Sequence, residues 1–283
     1  MRRPVKIAAS YSIYNEEEYI AYSIRSVYDF VDRIIICLGM APWSAYNPQA
    51  RTAFGRRDRT EEIVDALAKD DPKILVIKDV WDSEVAQRQT AMDSCLNAGM
   101  DYYFLVDGDE FYRRDHLQFI RDEVEAHPEV GTFHIKCAVP WRSFRYRIPY
   151  WGVKWIPWRL FKITRSRTFL GLTLPYHCRF IGPNRTNSLG PRYLIPPHQA
   201  IFYHLGYARS TERMRLKLAA SEGQRHFVDG WLERVWLAWP ANRSMKNLQP
   251  IDPEGLPEAL PVDPGDLPEV LRSHPYWNLE IIP

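Results

Sequence analysis

Residues 101–114 read DYYFLVDGDEFYRR. The consecutive apolar and aromatic residues Tyr102 to Val106 have the length and composition of a buried strand, and the run ends on Asp107, Asp109 and Glu110 around a single glycine. Acidic residues at a strand end commonly do no more than open the next turn. The DGD spacing adds to that reading, because two carboxylates flanking a glycine can both point at one cation.

Upstream of this stretch, strand-like and helical patterns alternate. VKIAASYS (5–12), RIIICLG (33–39) and KILVIKDV (73–80) read as strands. EEEYIAYSIRSVYDF (16–30) places Ile20, Ile24 and Val27 on one helical face, and TEEIVDALAK (60–69) repeats the pattern through Ile63, Ala66 and Leu67. SEVAQRQTAMDSCLNAG (83–99) gathers Val85, Met92 and Leu96 on a shared side and offers Gly99 as a C-terminal cap. Strict alternation predicts an α/β fold with right-handed crossovers and a mostly parallel, Rossmann-like sheet flanked by helices. Ligands of such sheets bind beyond the carboxyl ends of the strands, where Asp107 to Glu110 fall.

Downstream the pattern changes. A helix over RRDHLQFIRDEVEAH (113–127) leads to strand-like TFHIKCA (132–138), WRLFKIT (158–164) and AIFYHLGY (200–207), followed by a helix over TERMRLKLAASEGQRH (211–226). From Pro250 prolines recur every few residues, which predicts an extended tail packed on the body or a linker. We divide the chain into a ligand-binding half (1–112), a mixed α+β half (113–209), and a C-terminal helix with its Pro-rich tail (210–283). No internal repeat is visible.

The 283 residues are 46% hydrophobic and 25% charged, enough to bury a full core, and the formal net charge is +2. Cys37, Cys95, Cys137 and Cys178 form no CxxC pair, so neither a zinc site nor a disulfide framework is expected and a reducing cytoplasm fits. Every long apolar run is interrupted by Pro, Asn or charge, so no signal peptide or integral membrane segment is expected.

YNEEEYI (14–20), DRTEEIV (58–64), AQRQ (86–89) and DGDE (107–110) together resemble, in order and spacing, the nucleotide-sugar glycosyltransferases of the GT-A fold, closest to family 2. The resemblance covers about residues 4–112. It implies a divalent cation, Mn2+ or Mg2+, held by the DxD motif against the diphosphate of a nucleoside-diphosphate sugar, with a UDP-sugar the first choice. Such a cation stabilises the charge that develops on the leaving diphosphate. By the same resemblance Asp109 is a direct metal ligand, and Asp107 contacts ribose or the metal through water. Tyr14, Asn15 and Glu16 lie near the nucleotide, Asp58 faces base or ribose, and Arg88 sits near the DxD. His204 of FYHLGYAR is a candidate third metal ligand.

Local explanations stand beside these roles. Asp58 followed by Glu61 is also a capping-box-like helix start, and Glu16 and Glu17 suit a helix N-terminus. In place of the family's Asp-rich turn after the second strand stands CLGMAPWSAYNPQARTAFGRR (37–57), whose Trp43, Tyr46, Arg51, Arg56 and Arg57 are candidates to cover donor or acceptor. A catalytic base is harder to place, because nothing between Val130 and Thr211 is acidic; His177, Glu212 and Asp229 are the candidates, or the reaction retains configuration and needs none.

That acid-free stretch interleaves Arg and Lys with aromatic residues, among them Arg142, Arg145, Trp151, Trp155 and Arg159. Cations among aromatic faces suit an anionic acceptor. We weigh three readings: hydroxymethylated pyrimidine in DNA, reached by base flipping as in virus-encoded DNA-modifying enzymes, which would place the protein in the host cytoplasm; an envelope polysaccharide or lipid-linked glycan at an anionic surface; and a non-catalytic nucleic-acid or sugar-binding module. The spread of basic residues along the whole segment favours DNA, and the intact DGDE disfavours the non-catalytic module.

Overall fold

The structure, a computed structural model, describes residues 3–43, 57–163, 168–173, 177–181, 191–220 and 227–283. Its first half runs β1 (Ile7–Ile13), α1 (Ile20–Val27), β2 (Arg33–Gly39), α2 (Thr60–Ala68), β3 (Ile74–Asp79), α3 (Glu84–Asn97), β4 (Tyr102–Leu105), β5 (Glu110–Tyr112) and α4 (Arg114–Ala126). β1, β2 and β4 are apolar on both faces because both faces are covered. Alternate residues sort accordingly. Ile7, Ala9, Ile34 and Ile36 pack in one core with Ile20, Val64 and Ile120 of α1, α2 and α4, while Ala8, Ile35 and Cys37 pack with Ala91, Met92 and Cys95 of α3.

β1 pairs in parallel with β2 on one side and β4 on the other, and β2 pairs in parallel with β3. The chain therefore leaves β1 in one direction, builds outward to β3, and returns through α3 to the opposite side of β1. The β1/β4 boundary is a topological switch point, and ligands of open α/β sheets bind beyond the carboxyl edge at such points. α3 is well delimited: Ser83 Oγ accepts from Ala86 N at 3.2 Å, and Gly99 follows the helix at φ +69°, the left-handed position that glycine tolerates.

The remaining strands are β6 (Thr132–His134), β7 (Cys137–Pro140), β8 (Tyr146–Ile148), β9 (Trp158–Lys162), β10 (Thr168–Thr173), β11 (His177–Ile181), β12 (Arg192–Leu194) and β13 (Phe202–His204). β9 joins β4 antiparallel and carries β6 and β12 beyond it, so the seven-stranded sheet, in the order β12-β6-β9-β4-β1-β2-β3, is mixed: parallel from β4 to β3 and between β12 and β6, antiparallel on both sides of β9. The 113–209 segment thus completes the sheet begun by residues 7–105. A second sheet, ordered β14-β8-β7-β13-β5, includes β14 (Leu260–Pro261) and grows directly out of the DGDE turn through β5.

Two differences from the sequence reading bear on the site. α1 begins at Ile20 rather than near Glu16, because Asn15 takes a left-handed φ of +55° and Glu16 to Glu18 are drawn instead to cations of α5 (Thr211–Ala220) and the segment before it. The tail from Pro250 packs on the body in short helical turns, with Leu256, Leu267, Leu271 and Ile282 buried. Its end is fastened by Ile282 N to Arg142 O and Thr211 N to Pro283 O, each 2.7 Å. No helix among the described residues is long and apolar enough to cross a membrane.

His274 anchors this tail. It is buried against Tyr19 and Tyr22, its Nε2 lies 3.0 Å from the Glu18 carbonyl, and its Nδ1 accepts from Tyr276 N at 3.1 Å. The ring is therefore neutral, with the proton on Nε2, and burial holds its pKa below the ordinary 6.5. A histidine depressed in the folded state stabilises it above the unfolded pKa, and that contribution is lost as pH falls. Stability is expected to decline below about pH 6.5, and His274→Gln to flatten that decline in denaturant midpoints measured from pH 8 to pH 5.

Candidate functional site

The site forms where β1 and β4 end. Gly108 lies against the Glu16 side chain so closely that a Cβ there would meet Glu16 Cγ at 2.9 Å, which explains the glycine of DGD and joins the first and last motifs. On the α3 side, Asp107 Oδ1 accepts from Arg88 Nη2 at 2.8 Å, and Arg88 also donates to Glu84 at 2.6 Å. β9 runs antiparallel to β4 with Leu160 opposite Phe104, which carries Arg159 up to the strand end. There it pairs with Glu110 and lies 3.5 Å from Asp107 Oδ2. Burial raises the Asp107 pKa, but Arg88 and Arg159 outweigh it and hold the carboxyl below its ordinary value. Glu110 is completely buried, and burial pushes its carboxyl well above the usual range despite Arg159.

Asp109 faces the other way. β5 and β13 are antiparallel with His204 opposite Glu110, and Leu205 N donates to Asp109 O at 2.8 Å, so the strand pairing itself delivers His204 to Asp109. His204 Nε2 is 3.4 Å from Asp109 Oδ1. Asp109 Oδ2 accepts from Arg209 Nη2 at 2.7 Å and from Lys217 Nζ at 3.2 Å. Burial opposes ionisation here too, yet Lys217, His204 and Arg209 together hold Asp109 well below the usual carboxylate range.

Arg209, Arg213 and Lys217 recur every four residues, the spacing of one helical face. Arg209 also binds Glu16 at 2.7 Å, and Arg213 binds Glu17 at 2.7 Å and Asp58 at 2.6 Å. Asp58 further accepts from Glu17 N and Thr60 N, while Glu16 N donates to Thr60 Oγ1 and Asp58 N to Asn15 Oδ1. Its carboxylate therefore knits the first-strand turn to the start of α2. Glu61, the other half of the expected capping box, instead pairs with Arg57 and Lys78.

Tyr14, Glu16, Asp58, Arg88, Asp107, Asp109 and His204 are thus gathered at one sheet edge. The metal set expected from sequence, Asp107, Asp109 and His204, is not assembled as three: Asp107 is engaged by Arg88 and Arg159, and among the described residues no group of three or more His, Cys, Asp or Glu side chains is placed to hold an ion. Asp109 is engaged as well, its Oδ2 accepting from Arg209 and Lys217, and only its Oδ1 is left facing His204 Nε2. Their 3.4 Å separation is near the octahedron edge of about 3 Å that follows from Mg2+ bonds of 2.0–2.1 Å, so this pair fits a divalent cation as two of its ligands.

Of the base candidates, the His177 side chain lies outside the described residues, and Glu212 and Asp229 are exposed with no hydrogen bond or ion pair to the Asp109 cluster. Tyr46, Arg51 and Arg56 of the long loop also lie outside them. Trp43 donates to Gln87 Oε1 at 2.8 Å, and Gln87 Nε2 in turn donates to Cys37 O and Ile13 O, tying the ends of β1 and β2.

Among the described residues of the basic, aromatic stretch, several lie in the interior. Arg142 is buried over the Trp236 ring, Arg159 is buried on Glu110, and Trp141 and Phe144 are fully buried. Trp155 is partly buried, Arg145 reaches Glu280 at 3.8 Å, and Trp151 stands 71% exposed. Composition alone had placed these groups on a polyanion-binding face; their partners are mostly within the fold.

Sequence reasoning passed over Glu84 and Gln87, counted Arg209 only among the basic residues of the acid-free stretch, and passed over Arg213 and Lys217. The four-residue repeat was the available signal for the last three. Gly206 provides a check on the geometry, because a Cβ there would lie 2.6 Å from Lys217 Nζ and 2.8 Å from His204 Nε2. Gly206→Ala is expected to displace both groups from Asp109 with little change in melting temperature, which a structure of the variant and a thermal melt check.

Comparison with family models finds no match, and comparison with curated proteins finds none either. Among solved structures, S. aureus TarS 1-349 in complex with UDP-GlcNAc is similar at 17% identity over 48% of this chain and 35% of that one, with a TM-score of 0.37. TarS 1-349 alone gives 11% identity, 84% and 73% coverage and 0.46, and its complex with UDP gives 14%, 84%, 73% and 0.45. This chain spans only about a third of the first of these structures. At such identities and TM-scores, what TarS binds is a fact about TarS.

Proposed function

We propose that the chain is a glycosyltransferase of GT-A type that binds a nucleoside-diphosphate sugar beyond the carboxyl ends of β1 and β4 and passes the sugar to an acceptor hydroxyl. The observation that carries this reading is convergence: Asn15 to Glu18, Asp58, Arg88 and Asp107 to Glu110, separate in sequence, meet at the topological switch point through direct side-chain bonds. They are the four motifs on which the resemblance rests.

In the reaction the acceptor oxygen forms a bond to the anomeric carbon, the carbon–oxygen bond to the diphosphate breaks, and the acceptor proton is released. Asp109 and His204 would hold Mn2+ or Mg2+, which when bound supplies charge stabilisation to the departing diphosphate. The protein's part is to keep Asp109 ionised inside a buried cluster and to fix it against His204 through the β5–β13 pairing. Arg88 and Arg159 keep Asp107 ionised at the same edge, where it can accept from a ribose hydroxyl.

For the acceptor, a glycan hydroxyl is favoured over DNA. Arg142, Arg159, Trp141 and Phe144, which had supported DNA, are occupied in the interior, whereas the exposed Trp151 indole, edge-on to Tyr150, suits the apolar face of a sugar ring. The test is mass gain on two acceptors, a polysaccharide or lipid-linked glycan panel and DNA carrying 5-hydroxymethylpyrimidines, with nucleotide sugars and Mn2+. Gain on glycan alone is expected; gain on DNA alone would return the acceptor to nucleic acid.

A further inference from the structure

The cations at the switch point differ in how tightly they are held. The Arg88, Arg159 and Arg209 side chains are 6%, 10% and 4% exposed, and each bridges at least two carboxylates. Lys217 is 39% exposed, and among the described residues its only carboxylate contact is to the Asp109 oxygen that Arg209 already serves, at 3.2 Å against 2.7 Å. It also makes a long 3.4 Å bond to Gly206 O and lies 5.9 Å from the centre of the Tyr207 ring. Only a glycine at 206 lets Lys217 Nζ and His204 Nε2 sit where they do, since a Cβ there would lie 2.6 and 2.8 Å from them. Lysine is a mobile point charge on a flexible stem, unlike the forked guanidinium of the arginines below it.

We infer that Lys217 is a diphosphate-binding residue, whose ammonium leaves Asp109 to pair with the phosphates of a nucleotide seated beyond the ends of β1 and β4. This rests on the site being the donor site. Asp109 keeps Arg209 when Lys217 turns away, so the move strands no buried charge, whereas withdrawing Arg209 would leave Glu16 and Asp109 both without it. The ammonium gains charge-assisted bonds to phosphate oxygens in exchange for its 3.2 Å contact to Asp109 and its 3.4 Å contact to Gly206 O. Lys217 therefore discriminates by phosphate number, binding diphosphates over the matching monophosphates.

Calorimetric titration of the full chain with UDP, GDP, ADP and CDP and their monophosphates, in Mn2+, tests this. Lys217→Met is expected to weaken binding of the preferred diphosphate about 10- to 100-fold, the worth of a charged hydrogen bond, to leave monophosphate binding near wild type, and to be largely rescued in Lys217→Arg. Equal diphosphate affinity in wild type and Lys217→Met would overturn the assignment, as would an equal loss for mono- and diphosphates. Wild type that binds no nucleotide would instead overturn the donor-site reading and this inference with it. Should the variant fold poorly, acetylation of wild-type Lys217 read by mass spectrometry decides: protection by the diphosphate but not the monophosphate is expected, and equal labelling with and without diphosphate would contradict it.

Discussion

Asp109→Asn is expected to lower nucleotide-sugar turnover by about 10²–10³-fold, the scale on which loss of a preorganised electrostatic group acts, while the protein stays folded. The substitution keeps shape and removes charge at the group shared by His204, Arg209 and Lys217. Its cost to stability is contained, because Arg209 keeps Glu16 at 2.7 Å and Glu18 at 3.5 Å, and Lys217 is free to hydrate. Steady-state kinetics alongside a thermal melt check both halves. Turnover unchanged in Asp109→Asn would remove this residue from the chemistry.

The largest loss of stability is expected from Arg209→Met, about 3–5 kcal/mol, the usual consequence of removing one partner from a buried ion cluster. Arg209 is 3% exposed, packs its guanidinium over the Tyr19 ring, and is shared by Glu16, Glu18 and Asp109. Removing it takes the shared guanidinium from three carboxylates: Asp109 keeps Lys217 and His204 and Glu18 keeps the Tyr276 hydroxyl, but Glu16, which burial already pushes up to about 7, loses its ion-pair partner. Arg213→Met is the comparison: Glu17, one of its partners, is 35% exposed and can turn to water, so a smaller loss is expected. Urea midpoints of the two variants at pH 7 give the ranking.

Much of the α/β half was legible from sequence, because its signals are local. The apolar runs of β2 and β4, the Ser83 and Gly99 ends of α3, and the position of DGDE directly after a strand each depend on neighbours along the chain. What was not legible depends on partners far away. Nothing near Arg159 in sequence announces Glu110, and nothing near Arg142 announces Trp236, so both read as surface cations when they are buried. The same holds for β9, whose apolar run predicts a strand but not its antiparallel place beside β4. The late start of α1 has this origin as well: helix propensity in Glu16 to Glu18 is overridden by Arg209 and Arg213, nearly the whole chain away.

The site itself was half visible. Asp109 and His204 were paired from their motifs, and strand register brings them together. The basic face of Arg209, Arg213 and Lys217 carried its own four-residue signature, yet its significance lies in the acidic motifs it meets. A stripe of cations is ordinarily a solvated helix face; this one is turned inward.

The most direct test of the account is release of free nucleoside diphosphate from a panel of nucleotide sugars incubated with the wild-type chain and Mn2+, compared with Asp109→Asn under the same conditions. The account predicts release from at least one sugar donor by the wild type and its near-complete loss in the variant. Release from none of them, with or without added glycan and DNA acceptors, would contradict it.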